Sequence, residues 1–412
     1  MVASTTADRS SRPRVGRQLA RRAAVAACLA VLAGGAVATT ATAVAGKTVF
    51  VSPTGRPSAV DSSCASARFR VIEAAIKKAT RGSTVVICRG TYKGQVVLTK
   101  PLVLKGEHAK IDASGSDNGI TVPVPDVTVE GFTVTGAIGE GILVVGKPGL
   151  PVTHVSIKDN VVEGNDRGNP TGRPISTSGY RECNATGPVP GDCGEGIHLM
   201  VVANSVVAGN TVEHNSGGIL VTDEFGPSDH NLIEDNLVKD NLLDCGITLP
   251  SHSTTAYVKG RLNPAAGGVY DNSVLHNTVI NNGTKGQGAG ILLAAALPGG
   301  ATYHNTIADN TIVGSGMSGV TVHLHAPGQY LSGNVVEGNT IVVNNLKGDN
   351  DFKPADHATT GVLVDTVAPL SITVANNTIT CDTYGIWFMP SARVVGISTN
   401  QYWRVRVRVK KA

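Results

Sequence analysis

NTVEHNSGGILVTDEF, residues 210–225, contains both phrases that decide the fold. The first is Asn-x-Val/Ile with a polar residue five places on, here Asn210 and Asn215. The second is Gly, then Ile or Val, any residue and an aliphatic residue, here Gly218 to Val221. Each alternates over three to five residues and reads as a short strand. The glycine phrase recurs at 141, 196, 218, 246, 290, 319, 361 and 385, and the asparagine phrase begins at Asn160, Asn210, Asn236, Asn277, Asn310, Asn339 and Asn377. The shortest glycine spacing is 22 residues, and each longer one reads as a coil of that length plus an inserted loop. A strand this short cannot bury a face alone, so the coils must stack into a solenoid around an aliphatic interior.

Composition agrees with that reading. A chain of 412 residues could hold two or three domains, or one repeat domain. With 41% hydrophobic and 16% charged residues it is too apolar to be disordered. Its 49 glycines follow no G-X-Y period, which excludes collagen. Aromatic residues are only 4%, so the core must be Val, Ile, Leu and Ala. Of 26 asparagines, 25 lie between Asn160 and Asn400. Stacked asparagines bonding coil to coil explain that confinement without invoking function.

The net charge of +4 hides a polarity: residues 1–45 carry +5 and residues 404–411 another +5, which leaves the body at −6. An acidic body argues against nucleic acid as a partner. Residues 1–45 read as a signal peptide, with Arg9, Arg12, Arg14, Arg17, Arg21 and Arg22 ahead of the run AAVAACLAVLAGGAVA and small residues around Ala43 and Ala45. No stable membrane span is expected after cleavage, and the mature chain is expected to be a secreted or cell-surface monomer. Residues 46–95 read as an N-terminal cap and first coil, with helical apolar spacing over 69–80 apart from the leading Phe69. Residues 96–397 read as the solenoid, and 398–412 as a basic terminal strand or tail. Six cysteines outlast cleavage. The local pairings Cys64–Cys88 and Cys183–Cys193 are expected. Cys245 and Cys381 lie about four coils apart, too far to bond.

The stretch GTYKGQVVLTKPLVLKG, 90–106, followed by the Gly-Ile and Asn coils resembles the right-handed parallel β-helix superfamily of pectate-lyase-like proteins. More narrowly, it is similar to exported bacterial β-helix proteins of the carbohydrate-binding and sugar-hydrolase (CASH) and NosD type. The resemblance covers about residues 47–395. It implies an all-β, right-handed parallel β-helix with an N-terminal capping helix, and it leaves the activity open.

The register puts polar residues in columns. Counting each glycine as zero, positions one and three face inward, and two and four face solvent. Position four reads Met200, Thr222, Pro250, Ala294, His323, Asp365; position six reads Val202, Glu224, His252, Ala296, His325, Val367. The coil between His252 and His323 offers only alanines, 294–296, as a pocket floor. Inserted loops at 166–193, 252–268 and 347–358 would stand as walls. The expected catalytic groups are His252, Glu224, His325, His323, Asp223 and Asp244, with Glu195, His198 and Ala295 contacting substrate. His252 would be general base or acid, oriented by Glu224 or Asp223, and His323 or His325 would supply the second proton.

These groups suit a polysaccharide or other glycan in a cleft on the flank, cut or epimerised by His/carboxylate chemistry. The paired-Asp motif of polygalacturonases, the Asp-Pro-His-Asp of mannuronan epimerases and the Arg base of pectate lyases were not found. Hydrolase, lyase and epimerase therefore stay open as classes, with the lyase reading the weaker for want of its Arg base. No motif dictates a cofactor. The imidazoles and carboxylates are donors for a divalent metal: zinc, copper or calcium. Non-catalytic glycan binding, metal binding and a small-molecule isomerase or cyclase are the alternatives.

Overall fold

The computed structural model describes residues 46–165, 194–285 and 288–412. The signal peptide, the 166–193 insertion and the Cys183–Cys193 pairing lie outside the described residues. Residues 45–412 form one compact unit. Strands from successive coils pair in parallel, residue over residue, into three ladders and a short fourth. Two ladders are joined by the long strands Leu102–Asp112 and Val127–Thr135, which bend at a register shift between Lys105 and Ala109 and contribute to both. The glycine phrases build a separate sheet of 11 strands. The solenoid is a parallel β-helix.

Its core is a set of aliphatic columns. Ile142, Ile197, Ile219, Ile247, Ile291, Val320, Val362 and Ile386 stand in register on consecutive coils, all buried. Glycine heads the phrase because the next coil passes too close for a side chain. A Cβ on Gly218 would lie 2.1 Å from the carbonyl oxygen of Gly246.

The asparagines bond as expected. From Asn160 through Asn210, Asn236, Asn277, Asn310, Asn339 and Asn377 to Asn400, each Oδ1 accepts the main-chain N–H of the residue one coil before. Asn277 shows the unit: its Oδ1 takes the N–H of Asn236 at 3.0 Å, and its Nδ2 donates to Ile233 O at 2.9 Å and to Asn310 Oδ1 at 3.0 Å. A second ladder runs through Asn165, Asn215, Asn241 and Asn282. A third, Ser205–Asn231–Asn272–Asn305–Asn334, was not separated by the phrase reading.

The residue before each first-ladder asparagine, from Asp159 to Asn376, has positive φ. Asn, Asp and His tolerate that left-handed turn better than most residues. Six of the 11 histidines, at 108, 154, 214, 230, 276 and 304, occupy such positions. They are turn residues. Only His198, His252, His323, His325 and His357 are left for other work.

The cap helix spans Ile72–Lys78, shorter than its spacing suggested, and Phe69, the exception in that spacing, forms a parallel bridge with Val51. It buries Ile72, Ala75 and Ile76 over the first coil. The Cys64–Cys88 disulfide ties the segment before it to the end of strand Ser83–Ile87, and Cys245 and Cys381 are free thiols. Residues 398–412 add no separate tail. Gln401–Trp403 and Val407–Lys411 pair onto the two preceding ladders as a further coil. Among the described residues no helix is long and apolar enough to cross a membrane.

Asn277→Ala should leave the two donors of Asn236 and the Ile233 carbonyl unpaired in the interior. Urea unfolding should show a loss of about 3 kcal/mol or more; a loss under about 1 kcal/mol would mean the ladder contributes little.

Candidate catalytic site

The outward face of the 11-strand sheet is not solvated where the histidines lie. His198, Thr222 and His323 are buried. This corrects the expectation that positions two and four point to water. Insertions leave the strands at their ends and close over the sheet, which an alternation pattern cannot register.

Two clusters form. In the first, Glu224 and His252 follow the ends of adjacent strands, and Glu224 Oε1 lies 2.8 Å from His252 Nδ1. A carboxylate there holds the proton on Nδ1 and makes Nε2 the basic nitrogen. The other carboxylate oxygen of Glu224 accepts the hydroxyl of Thr222. With that proton committed, Thr222 accepts from His198 Nε2 at 2.8 Å, and His198 Nδ1 meets Glu140 Oε1 at 3.3 Å. The result is one polar chain across four coils, Glu140–His198–Thr222–Glu224–His252. Burial pushes the Glu224 pKa up, but the hydrogen bond and charge of His252, the charge of His198 and the Thr222 hydroxyl together hold it below the usual value.

Asp223, the other carboxylate expected to orient His252, does so through the main chain. Its Oδ1 accepts the N–H of His252 at 2.6 Å and of Ser253 at 3.2 Å; Oδ2 accepts Ser251 Oγ at 2.7 Å and Gly268 N–H at 2.5 Å. It therefore pins both ends of the 252–268 loop. Burial raises its pKa to about 6.

In the second cluster His323 Nε2 lies 2.8 Å from Asp349 Oδ2 and Nδ1 lies 3.4 Å from Asp351 Oδ2. His325 Nε2 is 3.7 Å from the same Asp351 oxygen. Phe352 stacks on the His325 ring at 5.2 Å and packs on His323 at 5.0 Å. Burial opposes a charge on His323, but the bonds to Asp349 and Asp351 prevail and raise its pKa to about 9. Bonds from His323 and His325 hold Asp351 well below the usual carboxylate range. Asp365, paired with His323 in the sheet, is pushed up to about 7 by burial. The 347–358 loop is thus a wall as expected, and it also supplies side chains. Asp349 and Asp356 close its base by paired main-chain bonds of 2.7 and 2.8 Å.

Three expected site residues fall elsewhere. Asp244 precedes strand Ile247–Ser251 while His252 follows it, so the length of the strand separates them; its carboxylate accepts the N–H of Cys245 at 2.6 Å. Glu195 opens strand Glu195–Met200, beside Gly217 and likewise at the entry end. Ala295 points into the hydrophobic core, and only its carbonyl faces the site, accepting Gln329 Nε2 at 2.6 Å. His198 is placed in the polar chain rather than against a cleft.

Glu140, Thr222, Asp349, Asp351 and Asp365 were not selected from the sequence. Asp365 stood in the position-four column, and the acids of GDNDF, 348–352, adjoin the coil carrying His323 and His325. Trp387 is buried beneath Lys410, whose Nζ sits 3.4 Å over its ring. Trp403 is exposed at the last coil, and near the 252–268 loop the half-buried Tyr270 stacks on the buried Tyr303 at 4.9 Å while Tyr330 packs on Tyr257 at 5.1 Å.

The profile of the right-handed β-helix region matches residues 105–296, and that of the periplasmic copper-binding protein NosD matches residues 224–401. No curated protein matches the sequence. Among solved structures, an alginate lyase from Paenibacillus sp. str. FPU-7 is 14% identical, covering 89% of this chain and 98% of its own, with a TM-score of 0.45. The pectate lyase Pel9A is 15% identical over 86% of this chain and 78% of its own, TM-score 0.47. The A-module of the mannuronan C-5 epimerase AlgE6 from Azotobacter vinelandii is 18% identical over 82% and 90%, TM-score 0.46. The chain is a right-handed parallel β-helix protein.

Asp223→Asn removes an acceptor from Gly268 and should lower thermal stability, by about 1–3 kcal/mol. The folded wild type holds the Asp223 proton up to about pH 6, against 3.8 for the free side chain. The folded state therefore binds more protons in that window, and this contribution to stability falls as pH rises through it. The Asn variant lacks the fall, so the gap between the two melting curves should be wider at about pH 4 than at about pH 7.

Proposed function

We propose that the protein is an exported enzyme acting on a polysaccharide, with Glu224 and His252 as its acid–base pair. The observation that carries the reading is the 2.8 Å contact of Glu224 Oε1 with His252 Nδ1, which fixes the ring and its tautomer and leaves Nε2 as the basic nitrogen. The second proton donor is on His325, whose side chain is 35% exposed. Two coils separate it from His252, about 10 Å at strand spacing, which is room for a sugar ring and its glycosidic bond.

His323, buried behind His325, orients that half of the site through the shared Asp351. The half-buried Tyr257, Tyr270 and Tyr330 beside the 252–268 loop are the aromatic rings near this face on which a sugar could pack. Export is supported by the basic and apolar leader and by the Cys64–Cys88 disulfide.

A panel of neutral, uronate and amino-sugar polysaccharides tests the reading. Products are followed as reducing ends, as unsaturated-uronate absorbance and as C5-epimerised uronate by NMR. Reducing ends alone mean hydrolysis, absorbance with reducing ends means elimination, and inverted C5 without cleavage means epimerisation. His252→Asn and Glu224→Gln should lower turnover by about 100-fold or more with unchanged circular dichroism. Turnover at the wild-type rate in His252→Asn, or binding of a glycan with no chemical change, would overturn the assignment.

A further inference from the structure

Asp365 is a carboxylate without a stated purpose. It is buried, and its Oδ1 has no hydrogen-bond partner among the described residues. Burying a carboxylate without compensation is costly, and proteins normally avoid it by pairing the group or placing it on a metal. A carboxylate oxygen of Asp365, a ring nitrogen of His323 and a carboxylate oxygen of Asp349 all lie within 4.8 Å of one another, and all three residues are buried.

We propose that His323, Asp349 and Asp365 form a zinc site, with Asp351 as its outer carboxylate. His323 Nε2 faces Asp349 at 2.8 Å, and zinc takes the place of the proton between them. On the other side of the ring, Nδ1–H points to Asp351 Oδ2 at 3.4 Å. That arrangement, a carboxylate on the far nitrogen of a ligating histidine, fixes which nitrogen binds metal and raises its basicity.

Three protein ligands leave one tetrahedral position for water or substrate. Phe352 packs on the His323 ring and limits solvent on that side. The donors select the ion. Calcium takes six or more oxygens and seldom an imidazole, whereas one imidazole with two carboxylates suits zinc. The loop that brings Asp349 and Asp351 is closed at its base by the Asp349–Asp356 main-chain pair, and Thr360 Oγ1 donates to Asp356 at 2.6 Å, so the ligands are held before metal arrives. The inference does not depend on the polysaccharide reading.

The test uses untagged full-length protein stripped with a chelator and titrated with zinc chloride against a chromophoric competitor. Wild type should bind one zinc per chain with a dissociation constant below about 1 μM, and its melting temperature should rise with zinc. Asp365→Asn, similar in size, should bind at least about 100-fold more weakly and lose the rise. Asp351→Asn should lose about 10-fold, the effect of an outer carboxylate. Glu224→Gln should bind as wild type. Circular dichroism of each stripped variant establishes that it is folded. If Asp365→Asn is not folded, Asp349→Asn takes its place. Failure of wild type to bind, or wild-type affinity in folded Asp365→Asn and Asp349→Asn, overturns the site.

Discussion

At the turns that carry the three asparagine ladders, the chain stops pairing as a strand, and an asparagine side chain takes over the bonding between coils. The amide group has the same donor and acceptor as a peptide bond, so it continues the ladder through a bend where the main chain cannot. Each such asparagine is buried, and each satisfies one group above it and one below. Replacing it by an apolar residue of similar size would leave main-chain N–H groups unmatched. The stacked coils therefore keep a common register over long insertions, and everything placed on the sheet inherits that register.

The site is a consequence of it. Residues 28 apart, Glu224 and His252, meet at 2.8 Å because their coils are consecutive. The buried polar chain from Glu140 to His252 is costly to desolvate. It is tolerated because Glu224 accepts on both sides, and Thr222 receives from an imidazole while giving to that carboxylate. Asp223 works at right angles to this chain. It spends its oxygens on main-chain N–H groups and one hydroxyl, so the residues next to His252 cannot drift.

The fold was legible because its signal is repeated: eight glycine phrases and seven asparagine phrases each vote for one register. The contact of Glu224 with His252 followed from the same count. What the count could not supply was depth. Alternation tells which side of a strand a residue takes, but not whether a loop covers that side, and so His198 and His323 were expected in water. Ala295, the last residue of strand Ile291–Ala295, goes inward as the alternation itself requires, and Asp244 lies at the opposite end of its strand from His252. Asp349 and Asp351 belong to an insertion with no repeat to index it. The six turn histidines could have been set aside from sequence, since each except His108 and His154 directly precedes a ladder asparagine.

The 347–358 loop gives this architecture a separable part. It leaves the solenoid after Asn345, whose side chain bonds to Asp356 O and Ala358 O, and it returns at the next strand without crossing the core. Its main chain is rooted at two points, and between them it meets the sheet only through side chains, Asp349, Asp351 and Phe352 on His323 and His325, so it can be lengthened, shortened or exchanged with little effect on the cylinder beneath. Selection, or a protein engineer, could thus rewrite the ceiling above the histidines one cassette at a time, while the stacked foundation stays as it is.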